Sequence, residues 1–410
     1  MVVGVLAPWS ALGLNTKLRE VFRWKQLDYE FPTEEARQAA IQSGNFIQEH
    51  NLPLGIEVWN DKVFITVPRW RPGVPSSLNW VPINGEESPK LRPYPDWKFN
   101  EVQGNGTQKV VNTFRVRADV CDRLWVIDCG LVDILGQAKP IWSTKLLVFD
   151  LKSDTLIRSY TLKESDTRPK SFFANVVVDV TPDDCENAHA YLPDLGSNAL
   201  VVYSWAENDS WRVKHHYFHF DPLFGDFNIG GVNFQWTDGI FGVALSPVLA
   251  DGYRKLYFHP LSSINEFVVS TKIVKNKTIA SDSYHAYKLL GNRGADSQAT
   301  ASFLDESSGV VFYTQVNKNA VGCWNSYAFP DNYSPLTNAI VAADNETMVF
   351  PNDLKVDRNS NLWVLTDRLP TFMYKRLDTK DVNFRVLMAP VQEAIKGTVC
   401  EAPKFYRYQF

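Results

Sequence analysis

The chain has 410 residues, 45% of them hydrophobic and 13% aromatic, with a formal net charge of −4. It has no basic run or stripe, so nucleic acid and anionic membranes are poor partners, and no apolar stretch approaches the roughly 20 residues that span a bilayer. A chain this long exceeds what one compact core usually holds, so it must build either several domains or a repeat.

The chain begins with MVVGVLAPWSALGLN, which is apolar but lacks a basic start. Residues 1–20 therefore read as an N-terminal tail or signal remnant. Residues 21–410 show no dividing linker and read as a single domain. VFRWKQLDYEF, Val21 to Phe31, has the composition of a strand but no partner nearby in sequence. It is expected to complete the last sheet beside FRVLMA near the C-terminus, which would protect an edge. EEARQAAIQSG, Glu34 to Gly44, is the one good candidate for a short helix.

A pattern then recurs six times: a short apolar run centred on an aromatic residue, just after a polar turn. The runs are KVFITV at Phe64, RLWVID at Trp125, HAYLPD at Tyr191, KLYFHP at Tyr257, VFYTQV at Tyr313 and NLWVLT at Trp363, with 50 to 66 residues between successive aromatics. One small antiparallel sheet per step predicts an all-β, six-bladed β-propeller, closed by the N-terminal strand pairing into the last blade. Aromatic and β-branched residues favour the strands, and 22 Gly with 23 Pro supply turns. Blade 1 reads from Leu52 to Trp70 and blade 2 from Asn112. Blade 3 starts at FFANVVVDV, blade 4 at FQWTDGIFGVALSP, blade 5 at SQATASFLDE and blade 6 at FPNDLKVDRN. Asp122, Asp179, Asp305 and Asp357 read as turn formers.

Five cysteines occur without a CxxC pair, which argues against a structural zinc site. Cys121 and Cys185 precede their blade aromatics at the turn ends of adjacent blades, and a bridge between them would span 64 positions. Cys323 and Cys400 form a second candidate pair, 77 apart. Each bridge is worth about 4 kcal/mol in the loop-entropy picture. Cys129 is left over and reads as a small buried hydrophobe. Five N-x-S/T sequons, at Asn105, Asn208, Asn276, Asn332 and Asn345, point to a secreted glycoprotein.

Several segments resemble the Yellow/major royal jelly protein family of arthropods: CDRLWVIDCG, FDPLFGDFNIGGVNFQWTDGIFGVALSP, LGNRGADSQA, GCWN and FPNDLKVDRNSNLWVLTDRLP. The resemblance runs from about Trp24 to Cys400. NLPLGIEVWNDKVFITVPRW and SFFANVVVDV most resemble the Yellow-f branch. The family implies a secreted six-bladed propeller with two disulfides. Cys129 stands where its motif usually carries Thr or Ser, which leaves open whether Cys121 or Cys129 is bridged, although Cys121 matches the usual position. Yellow-f-like members are similar to dopachrome-converting enzymes of the melanin pathway, while salivary relatives bind biogenic amines.

In a propeller, the ligand site lies at a channel mouth, where inner strands leave their loops. The polar and aromatic residues expected there are Phe173, Asn175, Gln235, Trp236, Thr237, Asp238, Gln298, Phe350, Asn352 and Asp353, with Asn292 and Arg293 from LGNRGADSQ. Such a set suits a flat aromatic ligand carrying polar groups. For dopachrome conversion, Asp238 or Asp353 would be the base, Asn175 and Asn352 donors to the quinone oxygens, and Arg293 the holder of the substrate carboxylate. The alternative is a non-catalytic binder of dopamine or serotonin using the same channel. No cofactor follows from either chemistry, and a monomer is expected. A third reading is a lactonase-like propeller with a divalent ion on Asn, Asp and Glu oxygens. His215 and His219 are four apart, but KHHYFHF reads as a strand, which does not suit a metal pair. There is no GxSxG, HExxH or phosphate loop.

Overall fold

The six aromatic pulses all fall on the second strand of a four-stranded antiparallel sheet. These strands belong to a computed structural model that describes residues 17–102 and 108–401. Most of the apolar N-terminal segment and the sequon at Asn105 lie outside the described residues.

Six such sheets form a ring, giving a six-bladed β-propeller. The inner strands are Ile56–Trp59, Thr113–Ala118, Val177–Thr181, Ile240–Leu245, Ser302–Asp305 and Pro351–Val356. Five of them are joined to their second strands by short polar turns, with Asn60, Asp122, Gly309 and Ser360 at positive φ, and that of blade 4 by the longer connection 246–254. Asn, Asp and Gly accept that conformation most readily.

The pulse aromatics glue blades together. Trp125 packs edge-on against Trp205 of blade 3 at 5.5 Å, and Tyr257 against Trp324 of blade 5, also at 5.5 Å. Their polar handles are tied to carboxylates near the outgoing end of the inner strand. Trp125 Nε1 donates to Asp119, Trp363 Nε1 to Asp357 (both 2.8 Å) and Tyr191 Oη to Asp179 (3.0 Å). Asp122, Asp305 and Asp357 sit at the expected turns. Asp179 instead lies within a strand and pairs with Arg254 at 3.0 Å and Lys275 at 2.7 Å.

Ring closure follows the expected route. Arg19–Trp24 pairs antiparallel with Phe384–Pro390 in blade 6, Trp24 opposite Phe384. The strand is shorter than its sequence suggested. Leu27 and Tyr29 leave the sheet and are fully buried, with Tyr29 Oη donating to Asn51 at 2.7 Å. The short helix covers Glu34–Gln42, capped by Thr33, which accepts from Ala36 N at 3.2 Å. Two further elements cover one channel mouth. One is a hairpin of Asp226–Ile229 and Val232–Gln235, turned by Gly230–Gly231 at positive φ. The other is a helix, Leu369–Tyr374.

Cys121 is joined to Cys185 and Cys323 to Cys400, while Cys129 is free and buried. The KHHYFHF run is not a strand: the blade 3 outer strand ends at Lys214 and His216–Phe218 form a 3₁₀ turn. Among the described residues, no helix is long and apolar enough to cross a membrane. The described sequon asparagines, Asn208, Asn276, Asn332 and Asn345, are exposed.

Candidate functional site

All six inner strands begin at the same mouth, because each enters from the long connection between blades. Their first residues meet there. Leu54, Phe114, Ala174, Phe241, Thr300 and Asn352, one from each blade, line a cavity of about 300 Å³. Trp70, Phe172, Leu195, Trp236, Phe350 and Met373 extend its walls. The volume is at the low end for small-molecule sites, about 300–1,000 Å³.

Aromatic packing fixes the wall. Trp70 meets Phe114 edge-on at 5.0 Å, Phe114 meets Phe172 at 4.9 Å, and Trp236 meets Phe350 at 5.9 Å. Trp236 is held from outside, its Nε1 donating to Tyr374 Oη at 2.8 Å. Phe350 sits in the left-handed region, φ 51°. That conformation costs a bulky residue on the order of 1–3 kcal/mol and concentrates at functional sites.

Among the described residues, Asp238 is the single ionisable one in this lining. Its backbone carbonyl accepts from Ser262 N, but its carboxylate has no hydrogen bond or ion pair among the described residues. Burial alone raises its pKa to about 6. A carboxylate in apolar surroundings is costly unless a cation or a proton meets it. The wall therefore carries a group ready to accept either.

The channel is blocked below the cavity. Arg115 stands in it, fully buried, with its guanidinium 4.2 Å from the Phe241 ring centre. It donates to the carbonyls of Thr300 (3.0 Å) and Asn352, and lies 3.4 Å from Asp353. Burial pulls its pKa down. The opposite mouth opens into a second cavity of about 360 Å³ rich in paired charges, including Arg117, Arg254 and Lys355.

The residues singled out from sequence divide accordingly. Trp236, Asp238, Phe350 and Asn352 come together at the aromatic cavity. Asn175 and Asp353 line the opposite mouth. Asn175 is spent locally: Nδ2 donates to Phe241 O and Oδ1 accepts from Val176 N, both at 2.9 Å. Asp353 is saturated by Lys355 (2.8 Å) and Ile56 N (2.9 Å). Asn352 donates one Nδ2 hydrogen to Asp367 at 2.6 Å, which leaves its second amide hydrogen without a partner among the described residues. Asp367 is fully buried, and burial holds its pKa well above the usual carboxylate range.

Phe173 is buried among blade 2 and blade 3 residues such as Trp125 and Tyr203. Arg293 is fully buried on Glu266 at 2.8 Å and on the carbonyls of Ser263 and Ser297. Gln298 anchors the hairpin through the carbonyls of Phe224 and Asp226. Gln235 bonds Asp226 across the hairpin at 2.6 Å, and Asn292 accepts from Gly294 N at 3.1 Å. Thr237 is exposed and outside the cavity lining. Sequence reasoning did not single out Trp70, Phe114, Arg115, Phe172, Leu195 or Phe241. Trp70 Nε1 is buried without a hydrogen-bond partner. No group of three His, Cys, Asp or Glu side chains converges as a metal set among the described residues.

Fold and site define a six-bladed propeller with an aromatic, single-carboxylate mouth. A family profile described as "Major royal jelly protein" matches residues 111–400. Protein yellow of Drosophila yakuba is 42% identical over 405 residues, covering 98% of this chain and 73% of that protein. Protein yellow of Drosophila subobscura is 43% identical over 389 residues, covering 94% and 67%. The chain belongs to the Yellow/major royal jelly protein family. Among solved structures, luciferin-regenerating enzyme aligns with a TM-score of 0.48 at 10% identity over 83% of this chain and 91% of that one. A likeness at that level says nothing of function.

Proposed function

We propose that the aromatic cavity binds an indoline quinone of melanin formation and converts it to a dihydroxyindole, with Asp238 as the base. The observation that carries this reading is the unpaired Asp238 carboxylate, its pKa raised to about 6, in a mostly apolar aromatic wall. The dopachrome class itself enters from the family resemblance.

The chemistry balances without an oxidant or cofactor. An indoline quinone loses two protons from its saturated ring carbons, and its two oxygens gain two. Of the two electron pairs left by the C–H bonds, one becomes the new double bond of the five-membered ring and the other reduces the quinone, giving a catechol fused to an aromatic indole. In dopachrome, loss of CO2 can replace one of the C–H losses. A positioned base contributes about 10²–10⁴-fold. Trp70 Nε1, unpartnered in the wall, supplies a donor where quinone oxygen charge develops. Phe114, Phe172 and Trp236 give faces for the flat ring.

Among the described residues, the lining has no cation. A substrate carboxylate would face Asp238 with nothing to offset the repulsion, so the aminochrome of dopamine, which has no carboxylate, suits this cavity better than dopachrome. The same absence favours a second reading, non-catalytic binding of a protonated aromatic amine against Asp238. A desolvated cation–π contact there would add up to ~2 kcal/mol. Absorbance assays with both aminochromes, alongside calorimetry with dopamine, separate the readings. Aminochrome decay no faster than without protein, together with tight dopamine binding, selects the binder.

Secretion and glycosylation form part of this proposal. Two disulfides suit an oxidising compartment, and four exposed sequons offer sites. A mass shift on glycosidase treatment of protein from insect-cell medium tests it.

A further inference from the structure

A second cleft, of about 440 Å³, lies on the rim where blade 3 meets a loop of blade 4. Its walls include Arg168, Arg212, Lys214, His216, His219 and Tyr284, and among the described residues no carboxylate lines it. The chain as a whole carries a net charge of −4, opposite in sign to the charged side chains of this lining. We propose that this cleft binds an oxyanion, the phosphate or sulfate ester group of a ligand.

Three donors are in place and unused, while Arg168 Nη1 is spent on the Ser165 and Thr167 carbonyls. Lys214, His216 and His219 are exposed, and no side-chain hydrogen bond or ion pair engages them among the described residues. Arg212 forms the floor. Its side chain is only 6% exposed, and it donates through Nη1 to Asp194 (2.7 Å) and the Asp166 carbonyl (2.8 Å). Its Nη2 donates to the Ser197 carbonyl at 3.0 Å. Its Nε is buried without a partner. Asp194 answers the Arg212 charge from behind, so the net positive charge of the cleft comes from Lys214 and Arg168.

His215 makes the wall rigid. Its Nδ1 accepts from Tyr217 N at 3.1 Å and its Nε2 meets the Tyr284 carbonyl at 3.2 Å. It stacks on Tyr287 at 4.1 Å on one side and carries His216 at 4.3 Å on the other. Burial lowers its pKa to about 4, so it stays neutral and structural. Cationic donors around a pocket without competing carboxylates match an oxyanion, whose oxygens accept several charge-assisted hydrogen bonds at once.

The test is calorimetric titration of the full chain at low ionic strength with glucose 6-phosphate, glucose 6-sulfate and glucose. We expect at least one ester to bind with a Kd of about 1 mM or tighter and glucose not to bind. The preferred ester identifies the source of the oxyanion. A charge-assisted contact from Lys214 is worth about tenfold, so Lys214→Ala with His219→Ala weakens binding about tenfold or more. Asp238→Asn leaves it unchanged, which separates this cleft from the aromatic cavity. Both altered residues are exposed, and an unchanged melting transition shows that the fold is kept. The proposal is overturned if neither ester binds better than glucose, or if the double variant binds as the parent does.

Discussion

Arg115 and Phe241 close the channel between them, the guanidinium 4.2 Å from the ring centre. The pair turns a through-channel into two blind mouths of different chemistry. The loop-side mouth is aromatic with one carboxylate, and the opposite one is lined by paired charges. Arg115→Met removes the bonds to the Thr300 and Asn352 carbonyls and one cation beside Asp353. Breaking a buried charged contact in this way costs about 3–5 kcal/mol. The urea midpoint should fall accordingly.

Asp238 should trade stability for function. Its folded-state pKa, about 6, lies above the ordinary 3.8 because burial penalises the charge. The folded chain therefore holds this proton more tightly than the unfolded chain. The stabilisation from the protonated form is complete below about pH 4 and is lost as pH rises through about 6. Asp238→Asn removes that loss and should stabilise the protein at pH 7 by roughly 2 kcal/mol, while removing activity. Thermal melts from pH 4 to pH 8 check the sign. A parent chain that gains stability across this interval relative to the variant would contradict the assignment.

In the conversion reading, kcat/KM should rise as pH passes through about 6 and level off above it, because the base must be ionised. The aminochrome of dopamine should show the higher kcat/KM of the two chromogens. A preference for dopachrome would mean that a cation absent from the lining reaches the substrate.

Trp70→Phe keeps the ring against Phe114 and removes only the unpartnered Nε1–H. Stability should hold or rise slightly, since a buried donor without a partner is a cost. The rate should fall about tenfold or more if that donor meets the quinone oxygen. An unchanged rate assigns Trp70 to the wall alone.

The disulfides hold different parts of the ring. Cys121–Cys185 ties blade 2 to blade 3, and Cys323–Cys400 ties blade 5 to the tail. Replacing either pair by serine should cost about 2–5 kcal/mol. Cys129 is buried, and burial pushes its thiol pKa up. A thiol reagent should label no cysteine in the folded protein and one after denaturation without reductant.

The ring was legible in the sequence because each blade repeats an aromatic on its second strand, where it must fill the gap to a neighbour. Trp125 and Tyr257 carry that signal directly. The site was half legible. Trp236, Asp238, Phe350 and Asn352 lie in the segments just before or at the start of inner strands and do meet at the mouth. Asn175 and Asp353 lie at similar distances from their strand starts, yet they line the opposite mouth. A strand's two faces alternate, so a shift of one residue reverses the side a group serves, and the repeat pattern does not fix that register. Arg293 looked like a carboxylate clamp between two glycines, but its partner Glu266 lies 27 positions away and could not be paired with it from spacing. Trp70 and Leu195 reach the cavity from connections after second strands, which the repeat pattern does not register.

The most direct test is the initial rate of dopamine aminochrome disappearance, followed by absorbance, for the parent chain and Asp238→Asn at pH 7. The account predicts decay well above the no-protein control for the parent, dihydroxyindole as product, and a loss of about 10²-fold or more in the variant. A parent rate equal to the control, or a variant as fast as the parent, would contradict it.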